Sequence, residues 1–275
     1  MYDLLFQITL FLYIGATIGF VMHVATQKRG ARKAAFAILG SAFSLHTVII
    51  LLRWIKAGHI PLVNMHETLS FFAWSISAFF MIFQWKERVK SLGAFVVPIA
   101  TFAMIGAAFY SKKIAPLPPA LQSWWLPLHA TICLIAYGVF ALAFAIAVMY
   151  IIQERQIKKK QLGPFFRRLP SLQTLDKLGQ LSLKIGFPLL TLGIITGALW
   201  ADSAWGSYWS WDPKETWSLI TWLLYAALLH QRLAVGWRGR RAAYMTIIAF
   251  GVLLFTFIGV NFVLPGLHSY STWYE

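Results

Sequence analysis

The chain has 275 residues, 59% of them apolar and 12% charged, with a mean hydropathy of +0.66. Soluble domains run at roughly 45–50% apolar and about 25% charged, so an ordinary soluble domain is excluded and an integral membrane protein is predicted. The formal net charge of +15 invites a nucleic-acid partner, but the 24 Lys and Arg fall in short runs between apolar stretches, where they act as membrane-orientation signals and argue against nucleic acid.

A span needs about 20 mainly apolar residues. Eight stretches supply them, at 3–25, 34–54, 67–85, 93–111, 129–152, 181–200, 215–231 and 242–263. The expected fold class is an all-α integral membrane protein, a bundle of about eight transmembrane helices in one polytopic domain over 1–275. The first stretch has no Lys or Arg ahead of it and no A-x-A pattern behind it, so it reads as a retained helix rather than a signal peptide. Alternate connections hold 19 of the Lys and Arg against 5 on the other side. The positive-inside rule puts the 19 in the cytoplasm and both termini outside.

In chain order, the connection 112–128 holds Pro116, Pro118, Pro119, Trp124, Trp125 and Pro127. It is too proline-rich for a helix and too apolar for a solvated loop, so it is expected along the membrane surface. Cys133 is the single cysteine, which excludes an intramolecular disulfide, a C-x-x-C pair, an iron–sulfur cluster and a haem-attachment segment within this chain. Residues 165–179 alternate apolar and basic side chains at helical spacing and are expected to form an interfacial amphipathic helix.

The external connection between spans six and seven, 200–217, carries Trp200, Trp205, Tyr208, Trp209, Trp211 and Trp217. Aromatic residues make up 16% of the chain, but this density exceeds what a belt of interfacial rings requires. If the run is helical, Trp205, Tyr208, Trp209 and Asp212 share one face and form a shelf for a large planar ligand. The alternative is an aromatic belt. Asp212, Pro213 and Glu215 read as N-cap, N1 and N3 of span seven, so both carboxylates are assigned to capping rather than proton transfer. His129 opens span five and His268 follows span eight on the same side as the aromatic run. Each reads either as a packed interfacial residue or as an axial donor, and two imidazoles would fill both axial positions of a haem lying on the tryptophans.

The string Trp205-Gly206-x-x-Trp209-x-Trp211-Asp212-x-x-Glu215, flanked by His129 and His268, resembles the tryptophan-rich WWD domain of haem-handling proteins in cytochrome c maturation. Its continuation, Pro213-Lys214-Glu215-Thr216-Trp217-Ser218-Leu219, is similar to the CcsA/ResC branch (also called CcsB) of the System II synthase. The System I handler CcmC is less similar. The resemblance is strong over 125–275 and weaker before it, where it rests on the span count and Asn64-Met65-His66-Glu67.

It implies that His129 and His268 are axial ligands of an outer haem b, cradled by Trp205, Gly206, Tyr208, Trp209, Trp211 and Asp212. It further implies that His230, near the cytoplasmic side, serves an inner haem with a second histidine from a ResB-like (CcsB-like) membrane partner. The implied function is to convey haem b outward and present it for thioether attachment to the C-x-x-C-H segment of apocytochrome c. In such a synthase the thiols come from the substrate, thiol-reducing proteins are possible further partners, and this chain contributes orientation rather than an acid, base or nucleophile. The implied location is a bacterial cytoplasmic membrane or, in a plastid homologue, the thylakoid membrane. A HemX-like haem-binding regulator and a haem b electron-transfer subunit are the rival readings. His46, inside span two, is expected to hydrogen-bond within the bundle.

Overall fold

A computed structural model describes residues 1–87, 89–114, 117, 121–264 and 266, and the described residues form helices joined by short connections. In chain order these are α1 (Tyr2–Thr26), α2 (Arg29–Ala57), α3 (Met65–Glu87), α4 (Gly93–Ala108), α5 (Trp125–Lys158), α6 (Pro164–Arg168), α7 (Leu172–Trp205), α8 (Pro213–Leu233) and α9 (Arg240–Leu254). A π-helical turn (Phe255–Gly259) and α10 (Val260–Val263) continue α9. The eight expected spans coincide with α1–α5, α7, α8 and the α9–α10 rod.

Six of these are long and apolar enough to cross a membrane: α1, α2, α3, α5, α7 and the rod Arg240–Val263. The chain is thus a multi-helix membrane bundle. At 16 residues α4 ends before the expected 111, and it rises only about 24 Å against a hydrocarbon core of about 30 Å. α8 falls outside the six because Lys214, Glu215, His230 and Arg232 lie within its 21 residues.

α5 is the centre of the bundle, packed on α3, α7 and α9, while α1 pairs with α2 and α4, and α3 with α4. Small residues allow this closeness. A Cβ on Gly138 would stand 2.9 Å from that of Ser75 on α3, and one on Gly186 of α7 would stand 2.8 Å from the Phe140 ring of α5. His46 is fully buried and bonded as expected, its Nδ1 3.2 Å from the Tyr13 hydroxyl and its Nε2 2.8 Å from Ser70 Oγ.

One end of the bundle, the motif end, gathers Asp3, paired with Lys112 at 3.4 Å, and the apolar cluster of Val63, Leu121 and Trp200. A buried ion pair braces it. Arg53 Nε donates to Glu67 Oε1 at 2.6 Å, Nη1 and Nη2 donate to the Lys112 and Lys113 carbonyls at 2.8 and 3.2 Å, and Glu67 Oε2 accepts the Val63 N–H at 2.9 Å. At the opposite, basic end Arg168 donates to the Ala25 carbonyl, and Asp176 joins Arg232 to the Gly239 N–H.

The expected amphipathic helix over 165–179 is not formed as one piece. Pro170 cannot continue α6, the chain extends at Leu169, and the Ser171 hydroxyl accepts from Thr174 N at 3.1 Å to start α7. Leu169, Leu175 and Leu178 are buried in the main core rather than left for an interface.

Candidate functional site

The aromatic run does not make a helical face, so the shelf expected from i, i+3, i+4, i+7 spacing is corrected. α7 stops at Trp205 because Gly206 takes a left-handed conformation (φ 74°) with its N–H on the Asp202 carbonyl, an αL cap. Residues 207–212 are then an irregular loop, tied by Ser207 Oγ to the Trp209 carbonyl. The next helix starts on a capping box, as the sequence indicated. Asp212 Oδ1 accepts Lys214 N at 2.9 Å, while Glu215 Oε2 accepts the backbone N–H groups of Ser210 and Asp212 at 2.8 and 3.2 Å. Gly266, late in the chain, packs directly against the Asp212 carboxylate and Pro213.

The loop covers a cavity of about 1230 Å³, counting the space open to the outside, at the motif end between α5, α7, α8 and the π turn. His129 and Cys133 face it from successive turns of α5, Gly197 and Trp200 from α7, Tyr208 and Trp209 from the loop, Lys214 and Glu215 from α8, and Thr256 and Phe257 from the π turn. Val63 and Leu121 close its remaining side. The apolar, aromatic lining with a few polar groups is the usual character of a cofactor-sized site.

His129 is fixed within this wall. Its Nδ1 lies 2.7 Å from the Gly193 carbonyl, and a carbonyl only accepts, so Nδ1 carries the proton and the Nε2 lone pair is the donor. The ring lies nearly parallel to Trp200 (21°, centroids 6.1 Å apart), and Trp205 packs edge-on behind Trp200 at 5.0 Å. Trp209 meets Trp211 at 89° and 5.7 Å. Trp211 itself is 70% exposed and, without being glycine, has a positive φ of 60°. Tyr208 is more than half exposed, and its hydrogen bond with Asp202 raises its hydroxyl pKa above the ordinary tyrosine value, which keeps the phenol neutral.

Of the residues singled out from sequence, His129, Tyr208 and Trp209 line the cavity, Trp205 backs its wall, and Gly206 and Asp212 shape the loop. Trp211 stands outside it against Trp209. His268, Pro116, Pro118 and Pro119 lie outside the described residues. His230 is exposed near the basic end of α8; it follows Pro213 by 17 residues, roughly 25 Å of helix. Arg232, expected beside it as a free cation, is buried and engaged, its Nη2 3.0 Å from Asp176 Oδ1 and 2.9 Å from the Asp176 carbonyl.

Sequence reasoning missed the glycines that bring α7 against His129. A Cβ at Gly193 would lie 2.6 Å from Cys133 Sγ, and one at Gly197 2.7 Å from His129 Cε1. The Gly-x3-Gly spacing at 193–197 opposite His129-x3-Cys133 was the available signal.

The family model described as Cytochrome C assembly protein matches residues 62–268. The chain is 40% identical over 244 residues to the cytochrome c biogenesis protein CcsA of Guillardia theta, covering 82% of this chain and 81% of that one. It is 37% identical over 274 residues to CcsA of Synechococcus sp. (strain JA-3-3Ab), with 80% of each covered. Against CcsA of Chlamydomonas reinhardtii it is 38% identical over 85% of this chain and 67% of the relative. Among solved structures, the cytochrome c haem lyase CcmF shares the fold, with a TM-score of 0.69 at 16% identity over 94% of this chain; it is matched over 46% of its own length, so this chain spans about half of it. The cavity, its tryptophan loop and the capping box thus belong to a recognised lineage, and the chain is a member of the cytochrome c assembly protein family, in the branch represented by CcsA.

Proposed function

We propose that the chain holds haem b in the motif-end cavity and presents it for covalent attachment to apocytochrome c. The observation that carries this reading is His129, whose Nδ1–H on the Gly193 carbonyl leaves Nε2 as the metal-donor atom, on a wall shared with Trp200, Tyr208 and Trp209. Metal-ligating histidines commonly donate their other N–H to such an acceptor. The lining accommodates a large flat apolar ligand. His129 and His268 would take the two axial positions, Tyr208 and Trp209 would face the macrocycle, Trp205 would support Trp200, and Trp211 would shield Trp209. Gly206 and Asp212 fix the loop. Bound haem supplies the vinyl carbons to which the two thiols of a C-x-x-C-H segment add; this chain supplies orientation, which makes an otherwise bimolecular encounter effectively unimolecular.

In this reading the motif end faces outward, His230 serves an earlier haem position near the cytoplasm with a histidine of a ResB-like partner, and the membrane is a bacterial cytoplasmic or a thylakoid membrane. The test is co-expression with that partner and an apocytochrome c, then pyridine haemochrome quantification of the purified complex. His129→Ala is expected to lower haem content and cytochrome c yield together. Unchanged haem and unchanged yield would exclude His129 as a ligand.

A further inference from the structure

Lys214 is the one Lys or Arg side chain among the described residues that lines the cavity. Its ammonium is held by two neutral acceptors, Asn261 Oδ1 at 2.9 Å and the Phe257 carbonyl at 3.3 Å. The π-helical turn sets that carbonyl, and Asn261 Nδ2 donates to the same oxygen at 2.9 Å, which orients the amide with Oδ1 toward Lys214. An ammonium has three N–H donors, and two are thereby placed.

The nearest carboxylates are committed elsewhere. Asp212 Oδ1 accepts the backbone N–H of Lys214, and Glu215 accepts from Ser210 and Asp212. Among the described residues no carboxylate oxygen lies within 4.0 Å of the Lys214 ammonium. A cation in the first turn of a helix also opposes the helix dipole. A desolvated charge paired only with neutral groups is costly unless an anion joins it.

We infer that Lys214 binds a carboxylate of the ligand in this cavity, a haem propionate, and so fixes the rotation of the macrocycle about the bond to His129. The inference rests on the haem reading above. An axial bond alone leaves a planar ligand free to turn about it, whereas a charged contact at one edge selects one setting.

The test uses the purified full chain with its partner, titrated with iron protoporphyrin IX and with its dimethyl ester, whose carboxylates carry no charge. The wild type is expected to bind the free acid about tenfold more tightly than the ester, the scale of one charge-assisted hydrogen bond. Lys214→Met should erase that preference and Lys214→Arg should keep most of it. Equal affinity of the wild type for both probes, or a preference that survives Lys214→Met, would overturn the assignment while leaving haem binding intact. Binding of neither probe by the wild type would overturn the haem reading, and the inference with it. The wild-type comparison decides even if the Met variant does not fold.

Discussion

A Cβ added to Gly197 would stand 2.7 Å from Cε1 and 2.8 Å from Nδ1 of His129, inside any normal contact, so the imidazole must move if this position gains a methyl group. Gly197→Ala is therefore expected to lower haem per folded protein severalfold although no ligand atom is removed. Gly251, with nothing within 4 Å of its Cβ position, is the control; Gly251→Ala should keep haem and gain up to about 1 kcal/mol from helix propensity. Haem content at matched protein level separates them, and equal content in wild type and Gly197→Ala would show that the ring can give way. Trp211 offers a second residue-scale contrast. Its left-handed backbone (φ 60°) costs an L-residue roughly 1–2 kcal/mol that glycine avoids. Trp211→Gly and Trp211→Ala both remove the ring, yet the Gly variant should unfold at higher denaturant. An Ala variant as stable as the Gly variant would mean the loop relaxes out of that conformation.

Among the elements, the turn between α2 and α3 is held by Glu67, which accepts from Arg53 and from the N–H of Val63, a cavity wall residue. Glu67→Ala would leave a 3% exposed guanidinium without its carboxylate, a change of about 3–5 kcal/mol. Denaturant unfolding in detergent should show the loss, and a midpoint within error of the wild type would deny the pair any structural weight. The Asn64-Met65-His66-Glu67 segment was visible in the sequence, but its partner, 14 residues back, was not. The start of α8 was legible, because Asp212, Pro213 and Glu215 are a local signal requiring no tertiary contact. The end of α7 was not, because periodicity carried the aromatic run past Gly206, whose left-handed cap breaks the face. Pro170 carried the same warning for 165–179, where apolar spacing masked the break.

For the molecule as a whole, the spans could be read because about 20 apolar residues have few other uses, while the way they pack could not. That α5 is the hub, and that His129 meets α7 through glycines, depends on contacts between distant segments. The two histidine positions along α8 and α5 give the test at this scale. If haem passes from the basic end toward the motif end, His230→Ala should deplete both positions, and His129→Ala should spare the inner one. Spectra and haem counts of the two variants, purified with the partner, check this, and a fully loaded motif-end site in the His230 variant would remove His230 from the path. With Arg232 clamped to Asp176, any cation serving an inner ligand comes from another side chain.

The π-helical turn at Phe255–Gly259 acts as a register shift between two halves of one rod. Deleting a single residue there, such as Ile258, would restore ordinary winding and rotate everything downstream by about 100°. Asn261 would swing off Lys214 and Gly266 off Asp212, while α1–α8 keep their own contacts. Such a deletion should yield a bundle that inserts and folds but retains little haem, whereas deleting one residue from the connection at 234–239 changes only slack chain. Retained haem in the Ile258 deletion would show that the rod's phase is not what aligns the last stretch of the chain with the cavity.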